Sequence, residues 1–235
     1  MKKCFFILAI MVSSISYGQS FRFGITGNSG LGWFTPQTKY LSASGSNLNF
    51  GYGLTADYEF SDNYALNFGF QIGQNGGKLT YDSLIYQLPK STGGTYLDTL
   101  LGLTYEYKNQ WIELPISLKL KTNEIGYLKY FAAFGFKPAI LSSARARNVL
   151  SSNITTSDWF FVNKKENDNL DRFREDNIIP IRASLLIQGG VEYNLGGKTS
   201  MFGAVFFDKG FTNQTSDPNL KSNNSMVGLQ VGIFV

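Results

Sequence analysis

Residues 48–73 read Leu48-Asn49-Phe50-Gly51-Tyr52-Gly53-Leu54-Thr55-Ala56-Asp57-Tyr58-Glu59-Phe60-Ser61-Asp62-Asn63-Tyr64-Ala65-Leu66-Asn67-Phe68-Gly69-Phe70-Gln71-Ile72-Gly73. On either side of Ser61-Asp62-Asn63, apolar residues hold the even positions, all of them large except Ala56. The odd ones carry Asn, Gly, Thr, Asp, Glu and Gln, with Ala65 the one apolar residue among them. Successive side chains of an extended chain point to opposite faces, so a period of two is the mark of a strand with one greasy side. Two such runs joined by a short polar turn form a β-hairpin.

The same period recurs along the chain. Phe21, Phe23, Ile25, Leu31 and Trp33 alternate with Arg22, Gly24, Thr26, Asn28, Gly30 and Gly32. A fourth strand covers about Leu103 to Lys121, with Ile112, Leu114, Ile116, Leu118 and Leu120 opposed to Glu113, Pro115, Ser117 and Lys119. Tyr105 and Tyr107 stand on the other count, which predicts a bulge near Lys108-Asn109-Gln110. A fifth strand runs from Leu128 to Lys137, a sixth from Ile179 to Leu195, a seventh from Thr199 to Phe211 and an eighth from Val227 to Val235. The seventh has Phe202, Phe206 and Phe207 on both counts, and its facing is left open.

Connection lengths set the layout. The turns Ser61–Asn63, Thr122–Gly126 and Gly196–Lys198 are short, while about Phe34–Asn47, Lys78–Gly102, Ser142–Asn177 and Thr212–Asn223 are long. Strict alternation places every long loop at one end and both termini at the other. That predicts an all-β, eight-stranded antiparallel up-and-down transmembrane β-barrel with short periplasmic turns and long extracellular loops. Each strand meets the length of about 9–11 residues that a tilted membrane strand needs.

Composition agrees and excludes much else. The chain has 235 residues, of which 16% are charged, with 20 Phe, 13 Tyr, 3 Trp and 25 Gly. There is no His, and the single Cys is Cys4. Histidine chemistry, His- or Cys-ligated metals and disulfides are therefore not expected, and no cofactor or metal site is assigned. Lys2 and Lys3 precede an apolar run, Cys4 to Val12, and Ser16-Tyr17-Gly18 places small residues at -3 and -1 of a cleavage site. We read residues 1–18 as a secretory signal peptide and 19–235 as the barrel domain, the mature chain starting at Gln19. Cys4 opens the apolar run instead of following it, outside the position of a lipidated mature terminus. Loss of Lys2 and Lys3 lowers the formal charge from +4 to +2, too small a surplus to indicate nucleic acid.

Two barrels fit a period of two. In a secreted lipocalin-like carrier the apolar face points inward around a ligand. Here the polar face is glycine-rich, with Gly24, Gly51, Gly53, Gly69, Gly73, Gly135, Gly190, Gly228 and Gly232. Glycine weakens an exposed strand, whereas in a narrow lumen it leaves room for larger neighbours. The expected luminal charge network is Arg22, Glu59, Glu113, Lys119, Lys137, Arg182 and Glu192, with Lys119, Lys137 or Arg182 as partners of Glu113. The apolar face carries Tyr58, Phe60, Tyr64, Tyr130 and Tyr193 towards the turns and Trp33 towards the loops, a girdle suited to lipid headgroups. The membrane barrel is the reading adopted.

One strand carries a resemblance. Gln110-Trp111-Ile112-Glu113-Leu114-Pro115-Ile116-Ser117-Leu118-Lys119 resembles the "[YW]-[LI]-E-[IL]-P-[LI]-x-[LF]-K" strand of PorT-like outer-membrane β-barrels of diderm (Gram-negative) bacteria. Tyr130-Phe131-Ala132-Ala133-Phe134-Gly135 fits the glycine-containing strand that follows it in that family. The resemblance implies an eight-stranded barrel of the cell envelope. A named member serves a secretion machine coupled to gliding, but no motif beyond the barrel pattern carries that role onto this chain. The terminal Phe234-Val235 departs from a strictly aromatic last residue.

The loops offer candidate contacts. Arg145, Arg147, Arg172 and Arg174 flank the third long loop and suit lipopolysaccharide phosphates. The plainer alternative is solvated pairing, because six acids balance six bases in that loop. Trp159-Phe160-Phe161 is either a folded-back plug or a surface offered to a partner. Asn167-Asp168-Asn169-Leu170-Asp171 lacks the glycine and terminal glutamate of a calcium loop. Asp82-Ser83-Leu84 and Asp98-Thr99-Leu100 match, weakly, a bacterial O-glycosylation acceptor. The expected role is that of a non-enzymatic structural or accessory barrel. It would act through its loops or as a subunit of an outer-membrane complex, a secretion complex among them. Expected partners are outer-membrane lipid and other outer-membrane proteins, with no small-molecule substrate. An outer-membrane enzyme and a small channel are the alternatives.

Overall fold

A computed structural model describes residues 20–39, 41–81, 84–89, 95–100, 103–150, 160–161, 178–197, 199–214 and 221–235. The expected signal peptide, Trp159, Arg172, Arg174 and the acceptor residues Asp82 and Ser83 lie outside them. So do the side chains of Arg147, Phe160, Phe161, Asp98 and Thr99.

The strands are β1 Ser20–Pro36, β2 Leu41–Ser61, β3 Tyr64–Tyr81, β4 Leu84–Pro89, β5 Thr95–Leu100, β6 Leu103–Glu113 and β7 Ile116–Lys121. They continue with β8 Leu128–Leu150, β9 Phe160–Phe161, β10 Ile181–Gly196, β11 Thr199–Asn213 and β12 Ser222–Phe234. Neighbours pair antiparallel, and β12 returns to β1 from Gly24↔Phe234 to Pro36↔Ser222, which closes the ring. β3 and β8 each pair with both β6 and β7, so these two form one wall strand interrupted at Leu114-Pro115. The barrel thus has the eight walls expected: β1, β2, β3, β6–β7, β8, β10, β11 and β12. Pro115 lacks an N–H and forfeits one ladder bond. The break is bridged on both sides, because Gly69 N donates to the Pro115 carbonyl at 3.0 Å and Leu114 N to the Pro138 carbonyl at 2.9 Å.

Turns 62–63, 122–127 and 197–198 share one end with Ser20 and Val235, and the connections 37–40, 82–102, 151–180 and 214–221 share the other. Gly126 (φ 67°) and Gly197 (φ 64°) take the left-handed backbone that two of the tight turns require. Two expectations need correcting: the first long loop is mostly strand, since β1 reaches Pro36 and β2 begins at Leu41, and the second, Lys78–Gly102, holds the end of β3 and the antiparallel pair β4 and β5. Beyond the apolar band neither face must be greasy, so the period of two fades while backbone pairing continues.

The faces fall as the alternation requires. Phe50, Leu114 and Leu185 are 55%, 45% and 38% exposed on the outer wall, and Glu113 and Arg182 are each 3% exposed inside. Aromatic contacts ring the turn end, with Phe21–Tyr58 centroids 4.9 Å apart and Phe60–Tyr64 6.2 Å, while Trp33–Phe207 lie 6.4 Å apart towards the loops.

Two sequence readings change in detail. β6 does not switch faces: Tyr107, Asn109, Trp111 and Glu113 are all buried on one count. The irregularity lies on β8, where Gln110↔Ser143 is followed by Trp111↔Leu141 and Ser142 is the extra residue. Aromatic side chains inside the barrel imitated a parity shift. The open facing of β11 is settled, with Phe202, Phe206 and Asp208 buried inside and Val205 outside.

The inward glycines do more than the expected work. A Cβ on Gly73 would lie 3.0 Å from Glu113 Oε2, so this glycine does make room for a charge. At Gly135 and Gly228 the added atom would instead strike the neighbouring strand's backbone, at the Ile116 and Ser29 carbonyls. These glycines permit the close strand approach and strong curvature of a narrow barrel.

Candidate functional site

Inward positions of six strands bring the charges together in two separate, internally neutral groups. The group nearer the turns joins Arg22 of β1, Asp57 and Glu59 of β2, Lys119 and Lys121 of β7, and Glu192 of β10. Arg22 Nη2 lies 3.0 Å from Asp57 Oδ2 and 2.9 Å from Glu192 Oε1, and its Nε lies 2.9 Å from Glu59. Lys119 Nζ reaches the same two carboxylates, at 2.8 Å to Asp57 and 3.1 Å to Glu192. Lys121 pairs with Glu59. Asn67 donates to Asp57 Oδ1 at 2.6 Å, and Arg22 Nη1 to Ser200 Oγ at 3.1 Å. Three cations meet three carboxylates, so burial leaves no net charge to solvate.

Aromatic rings complete this group. Lys119 Nζ stands 4.4 Å from the centre of the Phe131 ring and 4.9 Å from that of Phe234, while the Arg22 guanidinium lies 4.8 Å over Phe234. Phe202 packs against Phe234 at 5.2 Å. The negative ring faces add attraction for the two cations and exclude water from them. The penultimate residue Phe234 is thereby a packing element of the lumen.

The second group lies nearer the loops and joins Glu113, Lys137, Arg182 and Asp208. Arg182 grips Asp208 with Nη2 at 2.6 Å from Oδ1 and Nη1 at 3.4 Å from Oδ2. Lys137 Nζ donates to Glu113 Oε2 at 2.9 Å and also pairs with Asp208. Two cations again meet two carboxylates.

Between the groups an internal cavity of about 20 Å³ is lined by Asn28, Gln71, Gln188 and Gln230 among others. That is room for about one water. Above the second group Phe34, Leu79, Tyr107, Trp111 and Ala146 fill the lumen, with Phe34 and Tyr107 edge to face at 5.9 Å. Below the first, a mouth of about 210 Å³ opens at the turn end beside Arg22, Glu59, Tyr127, Lys129 and Glu192. Charged, polar and apolar layers thus block the axis in succession.

All seven expected network residues face the lumen, but as two groups. Glu113 meets Lys137 and Arg182 of its three expected partners; Lys119 belongs to the other group. Asp57, Lys121 and Asp208 were missed. The first two share the count of Glu59 and Lys119, so the pattern contained them; Asp208 was hidden by the uncertain facing of β11. Of the loop candidates, Arg145 is exposed on β8, and the Phe160–Phe161 backbone pairs with Ala146 and Arg145. Among the described residues no cluster of three or more metal-binding side chains occurs.

A family profile described as outer membrane protein beta-barrel domain matches residues 17–235. Among solved structures, Neisserial surface protein A is 13% identical with a TM-score of 0.46, over 93% of this chain and 98% of that one. The outer membrane protein OprG from Pseudomonas aeruginosa is 11% identical with a TM-score of 0.44, over 92% and 93%. The protease OmpT from Escherichia coli is 10% identical with a TM-score of 0.38, over 92% and 95%. No curated protein matches.

Proposed function

The chain belongs to the outer membrane protein beta-barrel domain family, and from that premise we propose that it is a non-enzymatic structural or accessory barrel of the outer membrane. It works through its outward surfaces and loop end, alone or as a subunit of a larger outer-membrane complex. The observation that carries this reading is the filled lumen: two neutral ionic groups with room for about one water between them. A barrel so packed offers no aqueous path, which leaves function to the parts outside it.

The Glu113-Leu114-Pro115 strand supports a finer placement beside PorT-like barrels, and the Leu114-Pro115 break gives that motif a structural role. Export by residues 1–18, periplasmic termini and extracellular long connections complete the reading. Recording from the purified protein in planar bilayers tests it. Quiet traces are expected, and stable open steps would replace the accessory barrel with a channel. Affinity purification in mild detergent then separates a lone barrel from a complex subunit, and N-terminal sequencing of the membrane form should begin at Gln19.

A further inference from the structure

One outward row marks the loop-end border of the apolar wall. Leu185↔Lys209↔Ser225↔Trp33 are direct cross-strand partners on β10, β11, β12 and β1, and partners set opposite share a face. That face is the outer one, because Leu185 stands on it. The row beneath, Ile187↔Phe207↔Val227↔Leu31, is wholly apolar, and in the row above polar Thr35 opposes polar Asn223. Lys209 lies ten positions along β11 from Thr199 at the turn end, about 34 Å along the strand and about 25 Å in height at the usual barrel tilt. That is the height of a membrane barrel's apolar band, so headgroups begin at this row, where Trp33 also stands.

Lys209 is a cation without a counterion. The only acids on these four strands are Glu192 and Asp208, and both are buried in the lumen. Among the described residues no ion pair or hydrogen bond reaches the Lys209 ammonium. Its outward neighbours on β11 are the exposed rings of Phe207 and Phe211. Beside it Ser225 is 1% exposed, and its hydroxyl has no hydrogen-bond partner. An unpaired ammonium at the edge of hydrocarbon and an unpaired buried hydroxyl each cost free energy that one anion recovers. Further out the face stays basic. Lys221 is exposed immediately before β12, and its carbonyl accepts the N–H of Gln37 at 2.8 Å, which brings exposed Lys39 to the same end. The apolar row beneath Lys209 suits acyl chains carried by the same anion.

We infer that this row seats the phosphate of an outer-leaflet lipid headgroup, with Lys209 as its charged contact and the Ser225 hydroxyl beside it. The inference rests on the proposed reading that the loop end faces outward.

Native mass spectrometry of the purified barrel in micelles tests it, with diphosphoryl lipid A, the same lipid stripped of phosphate, and inorganic phosphate as probes. The diphosphoryl form should bind about tenfold tighter than the stripped form, the scale of one charge-assisted hydrogen bond. Lys209→Gln should lose that preference, whereas Lys209→Arg, and Lys129→Gln at the turn end, should keep it. Equal binding of the two lipids, an unchanged preference in Lys209→Gln, or displacement by an equal concentration of inorganic phosphate would each overturn the lipid site. Should Lys209→Gln fail to fold, Lys209→Met keeps the apolar stem without the charge and takes its place. Micelles have no sides, so this result is distinct from the orientation, which impermeant labelling of Gln37→Cys on intact cells reads. Labelling is expected there, and its absence would overturn the placement in the outer leaflet.

Discussion

Arg22 and Glu192 meet inside the barrel, Nη2 to Oε1 at 2.9 Å, and tie β1 to β10 although 170 positions separate them in the chain. Neither is adjacent to the other in the ring, so the bond spans the lumen and is unavailable until the wall has closed. Lys119 reaches the same carboxylate from β7, across the intervening β8. The Arg22–Glu192 contact rewards the closed barrel over an open, curled sheet.

Removal of one partner from the group nearer the loops should be severe. Asp208→Asn leaves Lys137 and Arg182 sharing the single carboxylate Glu113. Breaking a buried pair costs about 3–5 kcal/mol. Urea unfolding in lipid vesicles should show a loss of that order, while Arg182→Met with Asp208→Leu, which removes cation and anion together, should recover most of it.

Glycine positions separate by face. Gly135→Ala drives a methyl into the Ile116 carbonyl and Ser117, and should cost about 1–3 kcal/mol by overpacking. At Gly189, on the outer wall, an added Cβ meets nothing within 4 Å, and Gly189→Ala should lie within about 0.5 kcal/mol of the parent. The difference in urea midpoint between these two variants checks the assignment of curvature to the inward glycines.

Aromatic support of the buried cations is separable from their ion pairs. Phe131→Leu keeps apolar volume near Lys119 but removes the ring 4.4 Å from Nζ. A loss of about 1–2 kcal/mol is expected, more than the same change at the lipid-facing Phe134, which should be close to neutral. Comparison of the two unfolding curves isolates the ring's contribution.

Much of this was legible in the sequence, and the failures have physical causes. β2 and β3 read cleanly because inward places hold Gly, Asn, Thr and Asp, which no apolar neighbour confuses. β11 did not, since Phe202 and Phe206 pack inside against Phe131, Phe234, Leu186 and Met226, and with them Asp208 escaped notice. Tyr107 and Trp111 misled in the same way, because the loop end of the lumen is greasy. Polar-inside is a rule about average composition, and a narrow barrel that seals its axis breaks it. The division of the charges into two groups was not readable at all: it depends on strand stagger, which residue parity does not contain.

The central claim is that apolar residues of every strand face acyl chains while the charges are packed around the axis. Once Cys4 is absent, spin labels at single introduced cysteines can be placed along β2 and β11 of the bilayer-embedded protein and their collisions with oxygen measured. Leu54, Phe50, Val205 and Phe207 should give high lipid-phase accessibility, and Thr55, Gly53, Ala204 and Phe206 low, in strict alternation. High values at Thr55 and Ala204 with low values at Leu54 and Val205 would contradict the account and turn the barrel inside out.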